Sequence, residues 1–203
     1  PIIKKKKTNY TKDKLTLLIT PSSRYQSLCK SIPFFENWIE QMSEIINFSK
    51  NLNGTIKEKL NFRIKEISSQ ALGDGVRITE IFKSFFGDQK VEDLNSGSTL
   101  FDTLDSSKLV ISNYPQTAFS ECLSLNIPTI LICSQSAWQF EKKSREYFLK
   151  LKKNKMAFER FSDAESHIKK IWNDPNSWWQ NKDIQKIRQK YLNTFFPVKK
   201  KWY

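Results

Sequence analysis

Short apolar runs alternate with amphipathic segments along most of the chain, and this alternation predicts the order of its strands and helices. Several runs are almost continuously apolar, which is typical of strands buried on both faces of a parallel sheet. Another run alternates apolar and polar residues, so we expect Arg63 on the strand face opposite Phe62 and Ile64. The predicted strands are Leu15–Thr20, Leu60–Ile67, Lys108–Ser112, Pro128–Cys133 and Met156–Phe161.

The intervening segments repeat apolar residues at helical spacing. In the first of them Trp38, Met42 and Ile45 follow that spacing, and Asn53-Gly54 marks the end. The first predicted helix has Pro33 in its first turn and ends at Asn53-Gly54. The other predicted helices are Ile78–Phe86, a helix capped by Ser98 that carries Leu100 through Leu104, Thr117–Leu125, Ala137–Lys153, a helix from the capping box of Ser162 through Glu165 to Asp174-Pro175, and Asp183–Phe196. Strands alternating with helices predict an α/β fold, a Rossmann-like doubly wound parallel sheet with helices on both faces.

The chain is strongly basic, but the charge is unevenly distributed. Its formal net charge is +13, yet residues 31–139 carry nine basic and thirteen acidic side chains, whereas residues 140–203 carry seventeen and seven. Solvated helix faces account for much of this excess; an anionic membrane or a phosphorylated substrate fits it better than nucleic acid does. We expect a basic lead-in or linker at 1–14, one Rossmann-like domain at 15–196 and a basic tail at 197–203.

Several classes of function are disfavoured by the sequence. No apolar stretch has the length of a transmembrane helix and none resembles a signal peptide, so a cytoplasmic location is expected. The three cysteines Cys29, Cys122 and Cys133 are expected to be reduced core thiols, and no set of residues has the spacing of a metal site. Because Pro1 stands in place of an initiator methionine, we expect an excised fragment.

Two further motifs are interpreted as structural. The single histidine, His167, is predicted on the surface of a helix, so it gives no Ser-His or Cys-His arrangement for nucleophilic catalysis. Trp178-Trp179 are expected in a connector that packs the terminal helix onto the sheet rather than stacking on a base. The catalytic residues are therefore not assigned.

Candidate chemistry lies in the loops after the predicted strands, because open parallel sheets bind ligands outside the carboxyl ends of their strands. The first such loop holds Ser22 and Arg24, and a guanidinium can bind two phosphate oxygens in one plane. A charge inside a strand needs a partner, so Arg63 either binds a ligand or forms a structural ion pair. Asn113 and Gln116 lie in the loop after the third strand.

The segment that follows this loop is the most informative in the chain. Thr117 is predicted at the N-terminus of a helix, where unpaired amides and the helix dipole attract an anion. Glu121 lies four residues on, on the same face one turn deeper. This arrangement suits a nucleotide, with phosphate at the helix tip and ribose hydroxyls on the carboxylate. The structural alternative is a helix cap with a buried carboxylate held by neighbouring amides.

Taken in order, several short motifs resemble the C-terminal half of GT-B glycosyltransferases, especially a group of bacterial surface-carbohydrate transferases. The similarity runs from about Leu15 to Phe196. The motifs are Ser23-Arg24-Tyr25, Phe62-Arg63, Ser107-Lys108-Leu109-Val110, Thr117-Ala118-Phe119-Ser120-Glu121, Asn126-Ile127-Pro128-Thr129-Ile130 and Trp178-Trp179. The resemblance implies that this lobe holds a nucleotide-sugar donor, while an N-terminal lobe, which nothing in this chain resembles, binds the acceptor and usually supplies the catalytic base.

By position, the resemblance implies that Thr117 contacts the donor diphosphate and Glu121 the ribose or sugar hydroxyls. Arg24 and Arg63 would neutralise phosphate charge as the nucleoside diphosphate leaves, with no metal or other cofactor. Pro115-Gln116 depart from the family pattern, which often has small residues beside the phosphates. The nucleotide-sugar-binding set implied by the resemblance is Ser22, Arg24, Arg63, Asn113, Gln116, Thr117 and Glu121.

The sequence therefore favours the donor-binding domain of a glycosyltransferase in cell-surface polysaccharide synthesis. Such a protein is expected in the cytoplasm, with peripheral contact to the anionic inner face of the membrane. One alternative is a sugar-nucleotide epimerase or a polyol-phosphate transferase of the same fold. Another is a non-catalytic basic module that binds anionic membrane or nucleic acid.

Overall fold

A computed structural model describes residues 12–20, 35–64, 78–92, 97–134, 137–138 and 140–197. Within these ranges five strands form one sheet, and each strand runs parallel to its neighbours in the order β2-β1-β3-β4-β5. The predicted α/β, Rossmann-like fold is therefore confirmed. The strands are β1 (Lys14–Ile19), β2 (Leu60–Ile64), β3 (Ser107–Ser112), β4 (Thr129–Ile132) and β5 (Ala157–Phe158).

The helices lie between and after these strands. They are α1 (Phe35–Asn51), α2 (Gly54–Glu58), α3 (Ile78–Phe86), α4 (Leu100–Asp105), α5 (Thr117–Ser124), α6 (Lys142–Lys153), α7 (Phe161–Ile171), α8 (Pro175–Trp179) and α9 (Lys182–Phe195). None of these helices is both long and apolar enough to cross a membrane.

Both faces of the sheet are covered because successive strand residues point to opposite sides. In β3, Ile111 lies in a core with Ile168 of α7, to which α1 and α3 also contribute. Its neighbour Val110 lies on the other face, in a core with Cys122 of α5 and with α4. Helices α6 and α9 pack on that second face against β4 and β5. These two layers are the doubly wound arrangement that the sequence predicts.

The strand order reverses between β1 and β3. From β1 the chain crosses over to β2 on one side of the sheet, whereas from β3 it crosses over to β4 on the other side. Open parallel sheets bind ligands in the crevice at such a switch point. Helix α5 follows β3 after four residues, so its N-terminus lies at this edge of the sheet.

The far end of α5 is held by the C-terminal helices. Trp179 is fully buried and donates its indole N–H to Asn126, both to Oδ1 at 2.9 Å and to the carbonyl oxygen at 3.2 Å. Arg188 of α9 donates to the Leu123 carbonyl at 2.6 Å, which satisfies a terminal acceptor of α5. The prediction that the Trp pair packs the terminal helix is confirmed, although it lies in α8 rather than in a connector.

The predicted start of α6 is wrong by five residues. The helix begins at Lys142, not Ala137, because the preceding residues turn into the core instead. Trp138 is buried, with its ring centroid 4.7 Å from that of Tyr114. Phe140 stacks on Phe148, with centroids 5.5 Å apart. Burial of these rings outweighs the helical periodicity that continues through the segment.

Two predicted caps are also wrong. Thr99, not Ser98, caps α4, and it forms a capping box with Asp102. Arg63 instead donates hydrogen bonds to the hydroxyl and carbonyl oxygens of Ser98. The predicted capping box at Ser162 is wrong because α7 begins at the buried Phe161 with Arg160 as its N-cap residue, two residues before the predicted cap.

The surface position predicted for His167 is wrong. Only 7% of the residue is exposed, and its ring lies between those of Phe158 and Trp178 at centroid distances of 5.8 and 5.1 Å. Neither ring nitrogen has a hydrogen-bond partner in the described part of the chain. Burial, assisted by the positive charges of Lys155 and Lys170, lowers the pKa of His167 to about 4. The imidazole is therefore neutral near pH 7.

The cysteine prediction is confirmed for the two cysteines within the described ranges. Cys122 and Cys133 are both buried and unpaired. Burial raises the pKa of the Cys122 thiol to about 12 and also raises that of Cys133. These thiols therefore stay protonated and act as small apolar side chains.

Candidate functional site

Asn113 joins the two strands at the switch point. It follows β3 directly, is 2% exposed, and its backbone N–H donates to the Leu18 carbonyl at 3.3 Å. Its side-chain Oδ1 accepts the Thr20 N–H at 2.9 Å, and its Nδ2 donates to the Thr20 carbonyl at 3.3 Å. The predicted site residue is thus placed where expected, and its amide fixes the ends of β1 and β3 relative to each other.

Gln41 of α1 completes this arrangement. Its Oε1 accepts the second N–H of Asn113 Nδ2 at 3.0 Å, so both amide protons of Asn113 are donated within the protein. A side chain with both donors engaged has one orientation, because rotation by 180° would exchange donor and acceptor. Sequence reasoning missed Gln41, and no local pattern distinguishes it from other polar residues on α1.

The N-terminus of α5 carries the next two predicted residues. Gln116 is the N-cap residue, but its side chain makes no capping hydrogen bond. Both Gln116 and Thr117 are exposed, so the first turn of the helix opens to solvent. Glu121 is half-buried one turn deeper, on the face that Thr117 occupies. First-turn amides without a side-chain cap, at the positive end of the helix dipole, favour an anion.

A cavity of about 250 Å³ adjoins this helix end. It lies between the loop before α5, the inner face of α6 and the C-terminal end of α9. Most of its wall is aromatic or aliphatic, and its polar groups are few. The lining residues are Pro115, Gln116, Leu131, Trp138, Phe140, Glu141, Ser144, Tyr147, Phe148, Leu151, Tyr191 and Phe195. An apolar hollow with a small number of polar groups is the usual form of a small-molecule site.

Sequence reasoning found only part of this cavity. Gln116, a predicted site residue, lines the cavity. The contributions of Tyr191 and Phe195 could not be seen, because they depend on how α9 returns across the sheet.

Arg63 lies in a polar network on the same face of the sheet as α5. Its Nη1 donates to Glu92 Oε2 at 2.8 Å and to Thr103 Oγ1 at 2.9 Å. Its Nη2 donates to the Ser98 carbonyl at 3.1 Å. Glu92 also accepts a hydrogen bond from Asn61 at 2.6 Å, and both partners of the ion pair are mostly buried. The structural alternative considered for Arg63, an ion pair, is therefore present.

The structure brings together four of the seven predicted site residues. Asn113, Gln116, Thr117 and Glu121 lie within one short segment at the switch point. Arg63 lies on β2, with β1 between it and β3. Ser22 and Arg24 lie outside the described residues. Within the described ranges, no group of three or more His, Cys, Asp or Glu side chains is arranged to hold a metal ion.

Comparison with known families identifies the class of reaction. The sequence profile described as LIC12162 family transferase matches residues 1–203, which is the whole chain. The chain belongs to this transferase family. A search of curated proteins finds no match. Membership of this family gives group transfer as the reaction class for the protein.

Proposed function

We propose that this LIC12162 family member is the donor-binding lobe of a GT-B glycosyltransferase, and that its donor is a nucleotide sugar used in cell-surface polysaccharide synthesis. One observation carries the proposal: the N-terminus of α5, without a side-chain cap, opens at the switch point beside an apolar cavity. In a nucleotide sugar an anionic diphosphate links a nucleoside to a sugar, which matches an anion-attracting helix end next to an apolar hollow.

The residues then take the following roles. The first-turn amides of α5 and the Thr117 hydroxyl bind the diphosphate, and Glu121 accepts hydrogen bonds from ribose or sugar hydroxyls. One ring of the donor, base or sugar, occupies the cavity beside Gln116. Asn113 does not touch the donor but fixes the edge of the sheet on which the site is built.

The α5 terminus also supports the chemical step. When the bond between the sugar and the diphosphate breaks, negative charge grows on the departing phosphate oxygen. Helix amides that already point to this position stabilise the charge without reorganising. The acceptor and the catalytic base come from a separate lobe. Because the family is one of transferases, we prefer this reaction to epimerisation.

Calorimetric titration of the full chain with UDP-, CDP- and GDP-sugars tests the proposal, with the matching nucleosides as ligands that lack phosphate. We expect one sugar nucleotide to bind and its nucleoside to bind at least 100-fold more weakly. A ligand at 100 times its Kd would raise the unfolding free energy by about 2.7 kcal/mol, which thermal unfolding detects. A CDP-polyol in the same panel tests the polyol-phosphate alternative.

Two variants locate the site. Thr117→Val removes the hydroxyl at the helix end, and Glu121→Gln removes the carboxylate charge; each should weaken binding about 10-fold or more. Glu58→Gln is the matched control, because Glu58 is exposed on α2. Binding that is equally reduced by the control, or no binding by any sugar nucleotide to the folded protein, would refute the donor-lobe proposal.

A further inference from the structure

The outer surfaces of α6 and α9 carry a concentration of positive charge that the donor site does not use. Helix α6 has six basic side chains and one acidic, and α9 has four and one. The two helices are neighbours, since the Tyr147 hydroxyl is 2.9 Å from Thr194 Oγ1 and the Tyr147 ring contacts that of Phe195. The exposed basic residues, called here the lysine face, are Lys142, Lys143, Arg145, Lys150, Lys152, Lys153, Lys182, Lys186 and Lys190.

Most of this charge is not neutralised within the protein. Lys152 forms an ion pair with Glu159, and Lys150 lies over the Tyr147 ring, 5.1 Å from its centroid. In the described part of the chain, no carboxylate lies within ion-pair distance of the other basic residues of the lysine face. A broad, uncompensated positive surface attracts polyanions over about a Debye length.

The lysine face also has an apolar component. Leu149 is 50% exposed in the middle of α6, one turn from Arg145 and one turn from Lys153. Phe195 is 37% exposed at the end of α9. Lysines that surround exposed apolar side chains on a helix are typical of surfaces that lie at a lipid interface.

We infer that the lysine face docks this domain on an anionic lipid bilayer. Nucleic acid is the other polyanion to consider, but five of the six basic residues on α6 are lysines. Arginine is the residue that suits bidentate phosphate recognition in nucleic acids, whereas lysine gives the diffuse attraction that a lipid surface needs. Exposed Leu149 has no role on a phosphate backbone but can enter the headgroup region. This inference does not depend on the identity of the donor.

Co-sedimentation of the full chain with vesicles tests the inference. We expect binding to phosphatidylcholine vesicles that contain about 30% phosphatidylglycerol, little binding to pure phosphatidylcholine, and weaker binding as salt shortens the Debye length. The triple variant Lys142→Gln, Lys143→Gln, Lys153→Gln should lower the partition coefficient on the order of 100-fold, since each lysine near an anionic surface contributes about fivefold. Leu149→Ser should lower it about threefold with no change in charge.

A second triple variant is the matched control. Lys12→Gln, Lys57→Gln, Lys170→Gln removes the same charge from exposed positions before β1, on α2 and on α7. It should lower the partition coefficient less than about fivefold, and both triple variants should retain the wild-type melting temperature within a few degrees. Equal loss in the two triples, or no binding to anionic vesicles, would overturn the inference. Tighter binding to duplex nucleic acid than to vesicles at the same salt, lost in the first triple only, would assign the face to nucleic acid instead.

Discussion

The indole N–H of Trp179 lies 2.9 Å from Oδ1 of Asn126, and this hydrogen bond ties α8 to the turn that ends α5. Asn126 holds a left-handed backbone conformation with φ of +58°, which Asn adopts more readily than most residues. The backbone conformation of this turn therefore depends on Asn126, and the Asn126 side chain is held in place by Trp179 from α8. The helix end proposed to bind the donor is oriented by contacts at its opposite end.

Trp179→Phe should destabilise the protein by about 1–2 kcal/mol. The substitution keeps a buried aromatic ring but leaves the oxygens of Asn126 without their donor. Urea unfolding measures the change, and Trp178→Phe is the control, because half-buried Trp178 makes no indole hydrogen bond in the described part of the chain. An equal loss in the two variants would show that ring size, not the hydrogen bond, sets the stability.

Arg63 and Glu92 should behave as a structural pair. Removing one partner of a mostly buried ion pair leaves a charge without compensation, so Arg63→Met and Glu92→Gln should each cost about 2 kcal/mol. A double-mutant cycle should give a coupling of at least 1 kcal/mol, with the donor affinity of folded Glu92→Gln unchanged. Coupling near zero, together with loss of donor binding in Arg63→Met alone, would make Arg63 a ligand-binding residue.

Stability should fall below pH 6.5 because of His167. The pKa of its imidazole is about 4 in the folded protein and near 6.5 when unfolded, so the unfolded chain binds more protons between these values. The stabilisation is complete above pH 6.5 and is lost as the pH falls towards 4, with about 2 kcal/mol lost by pH 5. The urea midpoint at pH 7.5 and pH 5 measures this loss.

His167→Leu is the control for that pH dependence. Leucine cannot be protonated and fits an environment formed by Phe158 and Trp178. The variant should be at least as stable as wild type at pH 7.5 and should lose less stability at pH 5. An identical pH profile in the two proteins would assign the acid sensitivity to other groups.

Asn113→Leu should affect both stability and donor binding. It removes the hydrogen bonds to Thr20 and Gln41, at an expected cost of about 2 kcal/mol. Because the ends of β1 and β3 are no longer fixed to each other, donor affinity should fall about 10-fold. Glu92→Gln is the comparison, since it has a similar expected stability cost but lies outside the proposed donor site. Calorimetric titration at a temperature where both variants are folded separates the two effects.

The strands and the sheet could be predicted from the sequence because their signals are local. A parallel strand covered on both faces has few polar positions, and β1, β3 and β4 each show this pattern to within one residue of their observed bounds. The placement of Thr117 follows in turn, because a short helix between two such strands must begin at the carboxyl edge of the sheet.

Helix ends and the cavity could not be predicted in the same way. The start of α6 depends on Trp138 packing against Tyr114, with Phe140 folded back on Phe148 of α6 itself, and this packing outweighs local helical preference. The position of Gln41 opposite Asn113 depends on how α1 packs across β1 and β3. Both are consequences of tertiary packing between segments far apart in sequence.

The burial of His167 can be predicted from its position in the helical repeat. It follows Ala164 by three residues and precedes Ile171 by four, so it lies on the buried stripe of α7. The surface prediction rested on the position of His167 on a capped helix beside Lys169, whereas the helical period alone gives the observed burial.

The hydrogen bond from Arg188 to the Leu123 carbonyl makes α9 part of the packing that holds α5 in place. A shortened chain that ended at Asp174 would retain all five described strands. It would lack the Arg188 guanidinium and the Trp179 indole, which form hydrogen bonds to the C-terminal end of α5 and the turn after it. It would also lack Tyr191 and Phe195, whose rings form one wall of the cavity. The cavity beside α5 therefore requires the chain through Phe195, and α8 and α9 belong to the same packed unit as the sheet.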